Sequence, residues 1–149
     1  MRVLIINGPN LNLLGRREPE IYGSLPFEPF FEKLSLQFPE ISLRHVCTNC
    51  EGAIIDHIQS ALFGTPDEQA DAIILNAGAY THYSYAIADA ISAISPLPVI
   101  EVHISNPAAR EEFRRQSVIA PVCTGSISGF GLESYTLALH ALTSPKGYV

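Results

Sequence analysis

The sequence predicts an α/β fold, a parallel sheet with helices on both faces. Three observations carry that expectation. Short continuous apolar runs, such as Val3-Leu4-Ile5-Ile6 and Ala72-Ile73-Ile74-Leu75, suit strands buried on both sides. Segments with apolar residues at helical spacing alternate with these runs from end to end. Glycine, proline and asparagine collect between them, where connections belong. Five strands joined by right-handed crossovers leave few topologies, and the flavodoxin-like order 2-1-3-4-5 is the expected one.

Taken in order, Val3 to Ile6 is the first strand, followed by a long polar segment. Phe27, Phe30, Phe31, Leu34 and Phe38 then recur at helical spacing. Pro29 fits there only within the first turn, and Pro39 ends the helix. Ile41 to Cys47 reads as a second strand, less apolar and so nearer an edge. Glu51 to Phe63 carries a helical apolar face through Ile54, Ile55, Ile58 and Ala61, and Gly64-Thr65-Pro66 stops it. The third strand, Ala72 to Leu75, runs into the polar turn Asn76 to His82. Ala86, Ile87, Ala90, Ile91 and Ile94 mark the next helix, and Pro98 to Ile104 the fourth strand. Asn106 before Pro107 reads as a capped helix start, for a helix carrying Arg110, Glu111, Glu112, Arg114 and Arg115. Pro121 to Ile127 is the expected fifth strand, and Leu132, Tyr135, Ala138, Leu139 and Leu142 the fifth helix. Residues 143–149 have no periodicity and are expected to be a loose tail. Residues 1–149 are expected to form one catalytic domain, with no repeat or linker.

Composition narrows the function. The chain is 47% hydrophobic and only 16% charged, a lightly charged surface that hints at cover in an oligomer. A net charge of -6 argues against general nucleic-acid binding, yet a few placed arginines can still hold an anion. No apolar stretch is long enough to span a membrane, and the chain enters its first strand at once. The cytoplasm is therefore the expected location. Cys47, Cys50 and Cys123 read as reduced thiols. Cys47-Thr48-Asn49-Cys50 has C-x-x-C spacing, but the sequence context of a redox or zinc site is missing.

In such sheets ligands bind beyond the carboxyl ends of the strands, at the switch point between strands one and three. The polar clusters fall there: Asn10, Arg17 and Tyr22 after the first strand, Asn76, Gly78 and His82 after the third, and Glu101, His103 and Ser105 at the fourth. The segment Asn7 to Gly23 reads either as a lid over the site or as a surface loop whose Asn and Gly only make turns. It is not a phosphate loop, since Gly8-Pro9-Asn10-Leu11-Asn12 matches neither dinucleotide nor P-loop patterns. Gly125 to Gly131 is better explained as a close-packed strand-to-helix turn. No histidine pair has metal-ligand spacing, and no metal or cofactor is expected.

Acid–base chemistry suits the residues better. Glu101 and His103 share one face of a strand, so the carboxylate can orient the imidazole and support its charged form. Alone, His103 would read as a buried structural histidine. Tyr22 is a poor base at a free pKa of about 10, and Arg17 beside it would favour the phenolate. Tyr22 could otherwise simply pin the loop. Ile104-Ser105, at the expected helix start, offers backbone N–H groups to a carboxylate. Arg110 and Arg114 would share a face of that helix. Glu111 and Glu112 explain Arg110 well, and Arg114 stays open between anion capture and surface pairing.

Three stretches resemble the signatures of type II 3-dehydroquinate dehydratases. The first is Gly8-Pro9-Asn10-Leu11-Asn12-Leu13-Leu14-Gly15 with Arg17-Glu18-Pro19 and Tyr22-Gly23. The second is Leu75-Asn76-Ala77-Gly78-Ala79-Tyr80-Thr81-His82, and the third Glu101-Val102-His103-Ile104-Ser105-Asn106 with Arg110 to Arg114. The likeness runs in order to about Leu142. It implies dehydration of 3-dehydroquinate to 3-dehydroshikimate, in the route to aromatic amino acids. Tyr22 would be the base and Arg17 its partner; Asn10 would position a water on the enolate. His103 would be the acid and Glu101 its support. Asn76, Gly78, His82, Ile104, Ser105 and Arg114 would bind substrate, and Asp89 would reach a neighbouring subunit's site. The resemblance further implies trimers assembled into a dodecamer. Departures lie at Cys47 and Cys50, at Tyr83, Tyr85 and Ala88, and at Ser24-Leu25-Pro26; none removes a catalytic position. A Schiff-base route would need a lysine in the site, and the chain has only Lys33 and Lys146, on a helix exterior and in the tail. The rival readings are a flavodoxin-like binding domain and another hydro-lyase or quinate-handling enzyme on the same scaffold.

Overall fold

Apolar runs too short for helices become strands, and the sheet they build is parallel throughout. The computed structural model describes residues 1–16 and 26–144. Its strands are β1 (Arg2–Asn7), β2 (Ser42–Cys47), β3 (Ala72–Asn76), β4 (Val99–His103) and β5 (Gly125–Ser128), ordered β2-β1-β3-β4-β5. This is the flavodoxin-like order expected. Four α-helices lie among the described residues: α1 (Phe27–Gln37), α2 (Glu51–Phe63), α3 (Tyr85–Ala93) and α4 (Glu133–Thr143). The last helix includes Thr143, which the expected tail had counted as loose, and residues 145–149 of that tail lie outside the described residues.

Successive strand residues face opposite sides of the sheet. Val3, Ile5 and Ile74 pack with Phe27, Phe30 and Leu34 of α1 and Tyr135, Ala138 and Leu139 of α4. Leu4, Ile6, Ile73 and Leu75 pack with Ile54 and Ile58 of α2 and Ile87 and Ile91 of α3. Two covered faces are why the central strands have no polar alternation. β2 is an edge strand and partly exposed along its length, as its mixed composition foretold. Its Arg44 donates to the carbonyls of Asp67 and Glu68 beyond α2.

The helix expected after Pro107 is not there. The cap and the proline behave as read: Asn106 Oδ1 accepts from Ala108 N–H at 3.1 Å, with Pro107 in the first turn. The turn then stops at Ala109, because Arg110 (ψ -167°) and Glu111 (ψ 148°) are extended. A second short turn, Glu112–Arg114, follows. The physical reason is the lack of an apolar stripe. Between Pro107 and Ser117 only Ala108, Ala109 and Phe113 are apolar, too little to bury a helical face. Arg110 and Arg114 thus do not share a helix face, and Ile104-Ser105 does not open an α-helix. The fifth strand is also shorter than expected, since Ala120–Val122 forms a tight turn around Pro121.

The turns after β1 and β3 meet back to back. Gly8 N–H donates to Asn76 O at 2.7 Å. A Cβ on Gly8 would lie 2.6 Å from the carbonyl oxygen of Ala77, closer than real contacts allow. Gly78 takes φ +59° against Pro9, a conformation suited to glycine. Gly8→Ala must therefore push the two turns apart. It is expected to lower stability by about 2–4 kcal/mol, read as a shifted denaturant midpoint; an unshifted midpoint would show that the turns can separate freely.

Candidate active site

An open cleft of about 770 Å³, counting its mouth, lies beyond the carboxyl ends of β1, β3 and β4. Asn10, Asn76, Gly78, His82, His103 and Ile104 line it, with Ser105, Arg110 and Arg114 toward one side. Residues far apart in sequence converge here because the strands are parallel and in register. Asn7 pairs with Asn76, Leu75 with Glu101, and His103 with Ser128.

At the end of β4, His103 Nε2–H donates to Glu101 Oε1 at 2.8 Å. Ser117 Oγ–H donates to the same oxygen at 2.7 Å. Glu101 is 1% exposed. Burial alone would raise its carboxyl. The hydrogen bond and charge of His103, then the Ser117 and Ser126 hydroxyls, outweigh this and hold it below the usual carboxylate range. Glu101 Oε2 has no hydrogen-bond partner. With Nε2 committed to Glu101, Nδ1 is the ring nitrogen left for the cleft. The His103 backbone is fixed too, its carbonyl accepting from Gly129 N–H (3.2 Å) and Ser134 Oγ–H (3.0 Å).

Beneath the cleft runs a buried chain of directional bonds. Asn76 Nδ2–H donates to Tyr135 Oη (3.0 Å), and Tyr135 Oη–H donates to Asn7 Oδ1 (2.7 Å). Asn7 Nδ2–H donates to His45 Nε2 at 3.1 Å. Burial lowers the His45 pKa against the opposing charge of Glu28, which keeps Nε2 an acceptor. Burial likewise pushes the Tyr135 phenol far above its usual range. Gly78 N–H donates to Asn76 Oδ1 at 3.2 Å, completing the orientation of that amide. One Asn76 Nδ2 hydrogen remains for a ligand.

At the mouth, His82 Nδ1–H donates to the carbonyl of Gln116 at 2.8 Å. A carbonyl only accepts, so the proton sits on Nδ1 and Nε2 is turned to the cleft. His82 meets the edge of the Phe113 ring, and Arg114 lies over that ring at 4.8 Å. Arg114 Nε–H also donates to Glu111 Oε2 at 3.0 Å, and Arg110 Nε stands 3.6 Å from the same oxygen. Glu111 is held below the usual carboxylate range by its own backbone N–H and by these two arginines. One carboxylate therefore gathers two guanidinium groups at the cleft.

A family model described as dehydroquinase class II matches residues 1–143. The chain belongs to that family. It is 58% identical over 143 residues to a 3-dehydroquinate dehydratase of Caldicellulosiruptor bescii, covering 95% of each chain. Among solved structures, the type II dehydroquinase of Butyrivibrio crossotus superposes with TM-score 0.91 at 49% identity, over 97% of this chain and 98% of that one. That of Propionibacterium acnes gives 0.86 at 41% identity, over 95% and 94%.

Of the dehydroquinase residues expected from sequence, Asn10, Asn76, Gly78, His82, His103, Ile104, Ser105 and Arg114 meet in the cleft, and Glu101 stands behind His103. Asp89 is exposed on α3 and does not line the cleft of its own chain. Arg17 and Tyr22 lie outside the described residues. Sequence reasoning missed Asn7, Ser117 and the functional side of Tyr135. Tyr135 sat on a helical apolar stripe, where only its hydroxyl hinted at a polar partner. The C-x-x-C carries no sign of thiolate chemistry at Cys47, whose thiol is raised by desolvation and then by Glu28, although part of the residue is exposed. Burial pushes the Cys123 thiol up to about 12. Among the described residues no group of three or more His, Cys, Asp or Glu could hold a metal.

Tyr135→Phe strands Asn7 Oδ1 and one Asn76 hydrogen in the interior. It is expected to cost about 1–3 kcal/mol, measured by denaturant unfolding; wild-type stability would mean that the two amides find other partners. Glu101 yields a pH signature. Its folded pKa is depressed, so its stabilisation is full above the unfolded value of about 4.3 and fades as pH falls through the lower folded value. The stability advantage of wild type over Glu101→Gln should therefore be constant from pH 7 to about 5 and shrink in stronger acid. An advantage that grows on acidification would reverse the sign.

Proposed function

We propose that this chain catalyses the dehydration of 3-dehydroquinate to 3-dehydroshikimate, as a type II enzyme of the route to aromatic amino acids. The observation that carries the reading is the His103–Glu101 pair, 2.8 Å apart, at a cleft ringed by Asn10, Asn76 and His82. Family membership supports the choice of substrate.

In the proposed reaction Tyr22, as phenolate beside Arg17, takes a proton from the carbon next to the ketone. The electron pair moves onto the ketone oxygen as an enolate, steadied through a water that Asn10 positions. The enolate then collapses: the carbon–carbon double bond forms, the neighbouring C–O bond breaks, and His103, entering the step as the imidazolium paired with Glu101, gives its Nδ1 proton to the departing hydroxyl, which leaves as water. Glu101 keeps the ring oriented throughout. Asn76, Gly78, His82 and Arg114 bind the substrate hydroxyls, and Ile104 and Ser105 its carboxylate. No step needs a Schiff base. Lys33 is exposed on α1, away from the cleft, and Lys146 lies outside the described residues.

We further propose one catalytic domain over residues 1–149, assembled as trimers into a dodecamer, with Asp89 on α3 turned toward a neighbouring subunit. The cytoplasm is the proposed location. No helix among the described residues is long and apolar enough to cross a membrane.

The test is direct. Purified protein with 3-dehydroquinate should give a rising ultraviolet absorbance from the conjugated enone, and prior borohydride treatment should leave the rate intact. A rate abolished by borohydride would keep the reaction and overturn the imine-free route; a flat trace from folded protein would overturn the activity. Tyr22→Phe and His103→Ala should each lower kcat by about 10²–10⁴-fold with analogue binding largely kept. Near-normal turnover by either variant removes that residue from its role.

A further inference from the structure

Asn10 is the only non-glycine residue with positive φ among the described residues, at 68°. Asparagine enters this left-handed region more readily than most side chains, and bonds from its surroundings hold it there. Its own side chain makes no capping bond to the turn that follows. Its backbone N–H instead donates to Asn49 Oδ1 at 2.9 Å. Asn49 belongs to the connection between β2 and α2 and is itself held from two sides. Tyr80 Oη–H, from the turn after β3, donates to the Asn49 carbonyl at 3.0 Å. The preceding residue, Thr48, donates its N–H to Asn7 O at 2.9 Å and accepts from Cys50 N–H at 3.1 Å through its hydroxyl. The turns after β1, β2 and β3 are thus tied together at Asn49. Asn10 lines the cleft, whereas Asn49 does not.

We infer that Asn49 is a positioning residue for the reaction: its side-chain oxygen holds Asn10 in the left-handed conformation that presents the Asn10 amide to the cleft. The inference rests on the proposed role of Asn10 in placing the enolate water. The chemistry sets the expected kinetic signature. The Asn10 interaction matters most when negative charge develops on the ketone oxygen. Its misplacement raises the barrier and leaves ground-state binding nearly untouched. The requirement on residue 49 is an acceptor oxygen at this reach, which aspartate shares and alanine lacks.

The experiment is a kinetic cycle on the full chain with 3-dehydroquinate, alongside binding of quinate, the reduced analogue that cannot eliminate by this route. Asn49→Ala should lose about 10- to 100-fold in kcat, with KM and quinate affinity within about threefold of wild type. Asn49→Asp should turn over at least about threefold faster than Asn49→Ala, because the acceptor is retained. In the Asn10→Ala background, adding Asn49→Ala should change kcat by less than about twofold, since nothing is left to position. Normal kcat in Asn49→Ala, a loss appearing mainly in KM, an aspartate no better than alanine, or full additivity in the cycle would each overturn the inference. A normal kcat in Asn10→Ala would overturn the reading of Asn10 itself. A slow Asn10→Ala beside a normal Asn49→Ala would overturn only the positioning role. Should Asn49→Ala not fold, Asn49→Asp against Asn49→Leu in the same cycle gives the same comparison.

Discussion

Everything at the site depends on how closely β1 and β3 can approach at their carboxyl ends. Asn7 and Asn76 stand opposite each other there, with the Tyr135 hydroxyl bridging their amides in the interior. Just beyond, Gly8 passes over the Ala77 carbonyl with no room for a side chain. This contact decides where the two following turns emerge. It therefore decides where Asn10, Asn76, Gly78 and His82 can face. The buried bonds add direction to the contact, because an amide flipped at either asparagine would set donor against donor. The floor of the cleft is in this sense part of the hydrophobic core, held by α4 from below.

The electrostatics follow a similar logic of paired opposites. The chain is acidic, with a net charge of -6, yet the proposed substrate carries a carboxylate. Arg110 and Arg114 are gathered at the cleft by the single carboxylate of Glu111. Glu101 is placed differently. It is buried, held ionised by His103 and two serine hydroxyls, and one of its oxygens has no hydrogen-bond partner. A buried carboxylate of this kind is unfavourable in isolation and gains its stability from the pair. It also holds one proton of His103 on Nε2, so that in the imidazolium the second proton, on Nδ1, is the one that can be delivered.

The segment after β4 shows how local signals can mislead about extent. Asn106 and Pro107 start a helical turn as their chemistry dictates, but a helix of several turns also needs a face to bury. With Phe113 the only large apolar residue before Val118, the segment breaks into two short turns. That break lets Arg110 and Arg114 both reach Glu111, and lets the Ser117 hydroxyl reach Glu101. A continuous helix would have spaced these groups by its own period. The failed expectation and the working geometry thus have one cause.

Periodicity and turn chemistry determined the strands, the four helices and the sheet order, because burial on two faces leaves a plain pattern in sequence. The strand ends then named most of the cleft: a parallel sheet brings the residues after β1, β3 and β4 to one edge whatever their separation in the chain. Contacts between distant loops left no such pattern. The Tyr135 hydroxyl was hidden on an apolar stripe, Ser117 lay in an unpatterned stretch, and Asn49 looked like any turn asparagine. What each of these side chains does depends on a partner set by packing, 128 residues away for Asn7 and Tyr135, 39 for Asn10 and Asn49. Residue type and spacing determined which chemistry was present; only the tertiary structure decided which donor faces which acceptor, because hydrogen-bond direction is a property of positions in space.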